Sequence, residues 1–230
     1  MGEYERRDKE KKIRRDDIID AAEKVIFSKG YELATMDEIS KQAEYSKRTV
    51  YMYFNSKEQL YFEIMIRGYK LLVDLLETTL PKRNEQNAIE RLKHIGRILY
   101  QFNTEYPDYF DAIMCYENGE KDFLIGIPDS SREECYALGE QIFGYLDTVL
   151  TEGIEEGTVK SELDVISTAI ILWSCTIGLF NIAIKKRNYI EQYHKRDPQK
   201  ILLEGFEMIL SSIEKNDEKN VNCNIKSSTF

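Results

Sequence analysis

Lys47, Arg48, Thr49, Tyr51, Met52 and Tyr53 stand together in the run KRTVYMYF, with Ser46 before it and Lys57 just after. Cations, hydroxyls and aromatic rings in one short stretch suit a polyanionic partner. Lys and Arg neutralise phosphates, hydroxyls bond to their oxygens, and an arginine or an apolar side chain can meet base edges. Within residues 41–57 the cations Lys41, Lys47, Arg48 and Lys57 face a single acid, Glu44.

Helix punctuation around these residues says how they are positioned. Thr35 followed by Glu38 is a capping box, and Ser56 with Gln59 repeats it. Ser46 can cap a helix over KRTVYMYF by accepting from the N–H of Arg48 or Thr49. Met36, Ile39, Ala43, Val50 and Phe54 are spaced so that two short helices share one buried face. The stretch from Thr35 to Lys57 therefore reads as a helix-turn-helix, whose second helix is offered to the DNA major groove. Spacing alone is met equally well by a surface helical hairpin with a charged face. Ahead of it, Ile18, Ile19, Ala22, Val25 and Ile26 predict a helix over 13–29, with Gly30 at its C′ position. The first dozen residues, nearly all charged, read as a mobile arm.

The run ATMDEISKQAEYSKRTVYMYFNSKEQLYFEI resembles the DNA-binding signature of TetR-family (tetracycline-repressor-like) transcriptional regulators. The likeness covers residues 14–68 and rests on T-x-x-x-I-x-x-x-A, S-K-x-T-x-Y-x-Y-F and S-K-E-x-L. One position departs from it. The inter-helix turn often carries glycine in that family, and here it holds Glu44, which predicts a left-handed residue or a shifted turn. On this reading Lys47, Arg48, Thr49 and Met52 face base edges, while Thr35, Ser46, Tyr51, Tyr53 and Lys57 grip phosphates.

Composition fits an all-α protein: 12 Gly and 4 Pro in 230 residues, with 32% charged. The net charge of −9 is unevenly placed. Residues 1–57 hold 13 Lys/Arg against 12 Asp/Glu, and residues 58–230 hold 19 against 29, so the acid lies outside the reading head. Cys115, Cys135, Cys175 and Cys223 lack metal or C-x-x-C spacing. With a charged N-terminus that has no apolar core, they predict reduced thiols in a cytoplasmic protein, a thiol-sensing pair being the alternative. Asp16, Asp17 and Asp20 form a D-D-x-x-D pattern of the kind that holds magnesium diphosphate in helical prenyl-transferring enzymes. Such a site needs a second acidic cluster, and none stands out; three acids near a helix start are explained by the macrodipole. His94 and His194 stand in no catalytic motif, and phosphate-loop, dinucleotide, zinc and calcium signatures are missing. No catalytic residue, metal or cofactor is expected.

Further helices are expected from Ser56 to Leu80, over 85–105, near 107–117 with irregular flanks, over 130–156, and from Pro198 to Ser212. Residues 165–184 carry no charge, long enough to span a bilayer, and read as a helix buried between partners rather than a membrane span. Aromatics crowd the larger part of the chain: Tyr100, Phe102, Tyr106, Tyr109, Phe110, Tyr116, Phe123, Phe143, Tyr145 and Trp173. The resemblance implies an inducer pocket there, with Phe102, Tyr106, Phe110, Met114, Phe143 and Trp173 as candidate lining for a small apolar or aromatic ligand. It also implies a homodimer whose last two long helices pair with their copies. The expectation is an all-α chain: residues 1–55 form a three-helix DNA-binding domain, 56–214 a helical ligand-binding and dimerisation domain, and 215–230 a disordered tail. Its expected role is a repressor on a palindromic double-stranded DNA operator, released by the ligand. A DNA-binding regulator answering to a protein partner is the alternative.

Overall fold

The computed structural model describes residues 3–117 and 129–215. They form α1 (Glu3–Lys29), α2 (Met36–Gln42), α3 (Lys47–Tyr53), α4 (Lys57–Thr79), α5 (Ala88–Glu105), α6 (Pro107–Glu117), α7 (Ser130–Glu156), α8 (Val165–Lys185), α9 (Arg187–Gln192) and α10 (Pro198–Ile213). Among the described residues there is no strand, only an isolated bridge between Val159 and Glu214. Phe123, Cys223 and the Asn118-Gly119, Gly126 and Pro128 breaks lie outside the described residues, as does 216–230 of the expected tail.

One expectation is corrected, and one element lay outside the expectations. The charged N-terminus is helical from Glu3 onward, because Glu, Arg and Lys are good helix formers and pair along the helix, as Arg6 and Glu10 do at 3.7 Å. The short helix α9 was not foreseen: six residues give too little periodicity to see.

Packing divides the chain into two compact units, Met1–Thr78 with Ile98–Ile142, and Thr79–Arg97 with Phe143–Phe230. This division follows contacts between helices, and so cuts the chain elsewhere than the functional boundary expected after residue 55.

In the first unit, α1 buries Ile18, Ile19, Ala21, Ala22, Val25 and Ile26, one stripe at helical spacing. It stops at Gly30, whose φ of +83° suits a residue without Cβ, and whose N–H bonds the carbonyl of Ile26 at 2.7 Å. The helix α4 is buried along most of its length. Gly68 lets α6 approach it, since a Cβ there would lie 3.1 Å from that of Tyr109. The Tyr61 hydroxyl, also on α4, donates to the carbonyl of Ala112 at 2.7 Å. Glu63 is buried on α4 and takes two partners: Arg15 of α1 at 2.5 Å and the Ser131 hydroxyl of α7.

In the second unit, α8 and α10 pack through Phe180 and Phe206, rings 5.9 Å apart, and Gly205 sits under Leu179. Buried Arg91 donates to the carbonyl of Pro81 at 3.0 Å and pairs with Glu152. The helix α8 is long and apolar enough to cross a membrane. It was expected to be buried, and within one chain only one side is: Thr168, Ala169, Leu172, Phe180 and Ala183 face inward. Ile166, Ile170, Ile171, Ile182 and Ile184 are exposed.

Candidate nucleic-acid interface

Three polar caps and three apolar side chains set the geometry of the head. Thr35 accepts from the N–H of Glu38 at 3.3 Å, and the Glu38 carboxylate accepts the N–H of Thr35 at 3.1 Å, closing the expected box at the start of α2. Lys29 also reaches Glu38 at 2.7 Å; its ammonium, and then Thr35, hold the Glu38 carboxyl below the usual carboxylate range. Ser46 caps α3 by accepting from the N–H of Thr49 at 3.1 Å. At α4 the Ser56 hydroxyl takes the N–H of Gln59 as expected, but the Gln59 side chain reaches back to the N–H of Asn55, one residue before the box partner. Ile39, Val50 and Phe54 are buried, and Met36 and Ala43 are half-buried. The two short helices therefore share the predicted face.

Between them Glu44 has φ +58°, the left-handed conformation expected where a glycine is missing. Tyr45 fixes this turn to α1, donating its hydroxyl to Asp17 at 2.8 Å, and that bond raises the tyrosine's pKa.

With Val50 turned inward, α3 presents Lys47, Arg48, Tyr51 and Met52 to solvent; Met52 is 77% exposed and Tyr51 42%. A large apolar side chain this open, beside two cations, is a surface shaped for contact. Thr49 and Tyr53 are half-buried at the helix edges. Lys47 pairs with Asp37 of α2 at 2.6 Å, and this hydrogen-bonded carboxylate raises its pKa. The hydroxyls of Thr35 and Ser46, expected on phosphates, already serve as caps: Thr35 also donates to Glu38 at 2.9 Å, and Ser46 shares a hydrogen with Thr49 at 2.8 Å.

Lys57 is a correction. Its ammonium donates to the carbonyls of Tyr31, Ala34 and Glu32 at 2.5, 2.9 and 3.3 Å and lies 4.2 Å from the centroid of the Tyr31 ring. Three donors on three carbonyls leave none for a phosphate. Lys57 is a staple holding the α1–α2 loop. The acids of the D-D-x-x-D pattern are likewise engaged: Asp17 by Tyr45, and Asp20 by Arg67 at 2.7 Å.

The structure adds cations that sequence spacing did not single out. Lys24, Lys29 and Lys41 line a shallow depression of about 360 Å³ between α1 and α2, with Ser28 and Glu38. They are scattered in sequence, and only the packing of α1 against α2 gathers them.

The expected ligand-lining residues divide. Phe102, Tyr106, Phe110 and Met114 belong to the first unit, Phe143 and Trp173 to the second. Phe102 lies 5.8 Å from Tyr106 and 6.2 Å from Phe110, ring to ring, and Phe102 and Phe110 are each only 1% exposed. These two rings fill each other's space as core. Tyr106, Met114, Phe143 and Trp173 are half-buried. Of the cysteines, Cys115 and Cys175 are exposed and free, while burial pushes the Cys135 thiol up to about 12.

A capped helix-turn-helix with a cationic, solvent-facing second helix, in a chain built of helices, defines a DNA-binding transcriptional regulator. Residues 18–64 match the model for bacterial regulatory proteins of the tetR family. The chain is 29% identical over 160 residues to the fatty acid metabolism regulator protein of Bacillus subtilis, covering 68% of this chain and 76% of that one. It is 24% identical over 157 residues to the HTH-type transcriptional repressor NicS of Pseudomonas putida, covering 65% and 67%. The solved structure of the regulator FadR from Bacillus subtilis in complex with stearoyl-CoA shares the fold, with a TM-score of 0.59 and 23% identity over 86% of this chain and 98% of that one. Residues 18–64 are thus similar to the DNA-binding region of tetR-family regulators, and the rest of the chain shares their helical fold.

Proposed function

We propose that the chain is a cytoplasmic homodimeric repressor that holds a palindromic operator and lets go when a small ligand binds. One observation carries the DNA-reading part: Val50 and Phe54 are buried while Lys47, Arg48, Tyr51 and Met52 of the same turns are open. Arg48 and Met52, four residues apart on one face, meet base edges, with Lys47 and Thr49 beside them. Tyr51, Tyr53 and the Lys24, Lys29 and Lys41 depression take phosphates, assisted by the capped starts marked by Thr35 and Ser46. Residues 1–55 are the reading head, and 56–214 hold the ligand and the dimer contacts.

The exposed isoleucines of α8 support the dimer: a stripe of that size is normally covered. A fatty-acyl thioester of coenzyme A is the ligand class we favour. Its support is the stearoyl-CoA in the FadR complex and the role named for the Bacillus subtilis relative. Tyr106 and Met114, half-buried in the first unit, remain candidate contacts for the acyl chain. Release is a population shift: the ligand favours a dimer whose two heads no longer match the operator. The reading includes no catalytic step.

Selection of bound fragments from a random DNA pool tests it. A palindrome with half-sites about 34–36 Å apart is expected, and stearoyl-CoA should weaken binding by about five- to a hundredfold in a gel-shift titration at fixed salt. Enrichment of no sequence over bulk DNA would reject operator recognition. Affinity unchanged by saturating thioester would reject the ligand class.

A further inference from the structure

The charge of the larger C-terminal part is negative, yet residues 185–196, KKRNYIEQYHKR, hold Lys185, Lys186, Arg187, Lys195 and Arg196 against one acid, Glu191. Arg187 pairs with Glu191 at 3.9 Å. The other four cations are exposed and, among the described residues, have no carboxylate partner. Asp197, next along the chain, is occupied as the cap of α10, accepting from the N–H of Gln199 at 2.9 Å.

An aromatic stack stands between these cations. The rings of Tyr189 and Tyr193 are nearly parallel, 13° apart in tilt with centroids 5.3 Å apart, and His194 meets both edge-on at 4.9 and 5.2 Å. The stack is not core: Tyr189 is 54% exposed and Tyr193 74%. The backbone holds it instead. Ile190 is buried, Lys195 turns the chain at φ +54°, and the N–H of Arg196 returns to the carbonyl of Ile190 at 3.2 Å.

Open ring faces beside unpaired cations match a planar base carrying phosphates, since stacking accepts any base and the cations take the charge. A lipid surface fits less well, because rings stacked on one another have less edge to insert between headgroups. We propose that the α8–α10 connection binds a nucleotide, with its base on the open face of Tyr193 and its phosphates on Lys185, Lys186, Lys195 and Arg196. It shares no residue with those assigned above to the operator-reading head or to the acyl ligand.

Calorimetric titration of the full chain with ADP tests the assignment, with inorganic pyrophosphate, oligothymidylate and vesicles of phosphatidylcholine and phosphatidylglycerol as parallel arms. Saturable ADP binding is expected, with pyrophosphate weaker because it lacks the base. Tyr193→Ala should weaken ADP by about five- to a hundredfold, and Lys195→Ala with Arg196→Ala should lower the salt dependence of binding. All three side chains are exposed, so the fold should survive, and far-UV circular dichroism checks that it does. Absence of ADP saturation, or ADP affinity untouched by both variants, overturns the proposal. So does binding of oligothymidylate or vesicles through Tyr193 when ADP does not bind.

Discussion

Arg48 and Lys57 are both cations of the head, and the structure gives them opposite tasks. Arg48 is open to solvent, so Arg48→Ala should leave thermal stability in place and weaken operator binding by about 1–3 kcal/mol if it meets a base. A gel-shift titration at fixed salt reads this directly. Lys57 is tied to three carbonyls of the α1–α2 loop. Lys57→Met should therefore destabilise the fold by about 1–3 kcal/mol, leaving those carbonyls short of donors. The slope of log K against log salt should not change, whereas loss of a true phosphate contact lowers it by about 0.9. Asp37 holds Lys47 at 2.6 Å and competes with DNA for it. Freeing the lysine with Asp37→Asn should tighten operator binding by up to about fivefold, the worth of an exposed ion pair; a weaker complex would show that the pair orients α3 instead. The sequence told which residue types were present here, but not that one lysine was engaged and another paired. Those facts depend on loops and helices distant in sequence.

At the scale of elements, the turn between α2 and α3 sets the aim of the reading helix. Glu44 occupies a left-handed conformation that costs a side-chain-bearing residue about 1–2 kcal/mol. Glycine removes that cost but gives the unfolded chain about 0.4–1 kcal/mol more entropy. Glu44→Gly should thus raise stability by roughly 0.5–1 kcal/mol in a urea titration; a loss would mean that the Glu44 side chain contributes contacts of its own. This turn could be anticipated from the missing glycine. The caps of α2 and α3 could also be read in advance, because a capping box lies within one helical turn. The helical state of the N-terminal charged run and the existence of α9 could not, since neither carries an apolar period.

For the whole molecule, the question is what covers α8. Its exposed isoleucines make a face that a second copy would bury, and Ile170→Lys with Ile182→Lys places two charges on it. Sedimentation of that variant should show monomers, with operator affinity falling as the paired heads are lost, while its circular dichroism stays helical. A dimer that survives both charges would place the contact elsewhere.

Local rules let the sequence by itself determine the all-helical class, the helix-turn-helix, its caps and its solvent-facing cations, because each rests on residues within a few positions of one another. Tertiary structure alone decided that Lys57 is a staple, that Glu63 joins Arg15 to Ser131, and that Phe102 and Phe110 pack as core. It also decided that one side of α8 stays open and that Tyr189, Tyr193 and His194 stack among cations. Burial and partnership are properties of what lies across from a side chain, and a one-dimensional pattern does not contain them.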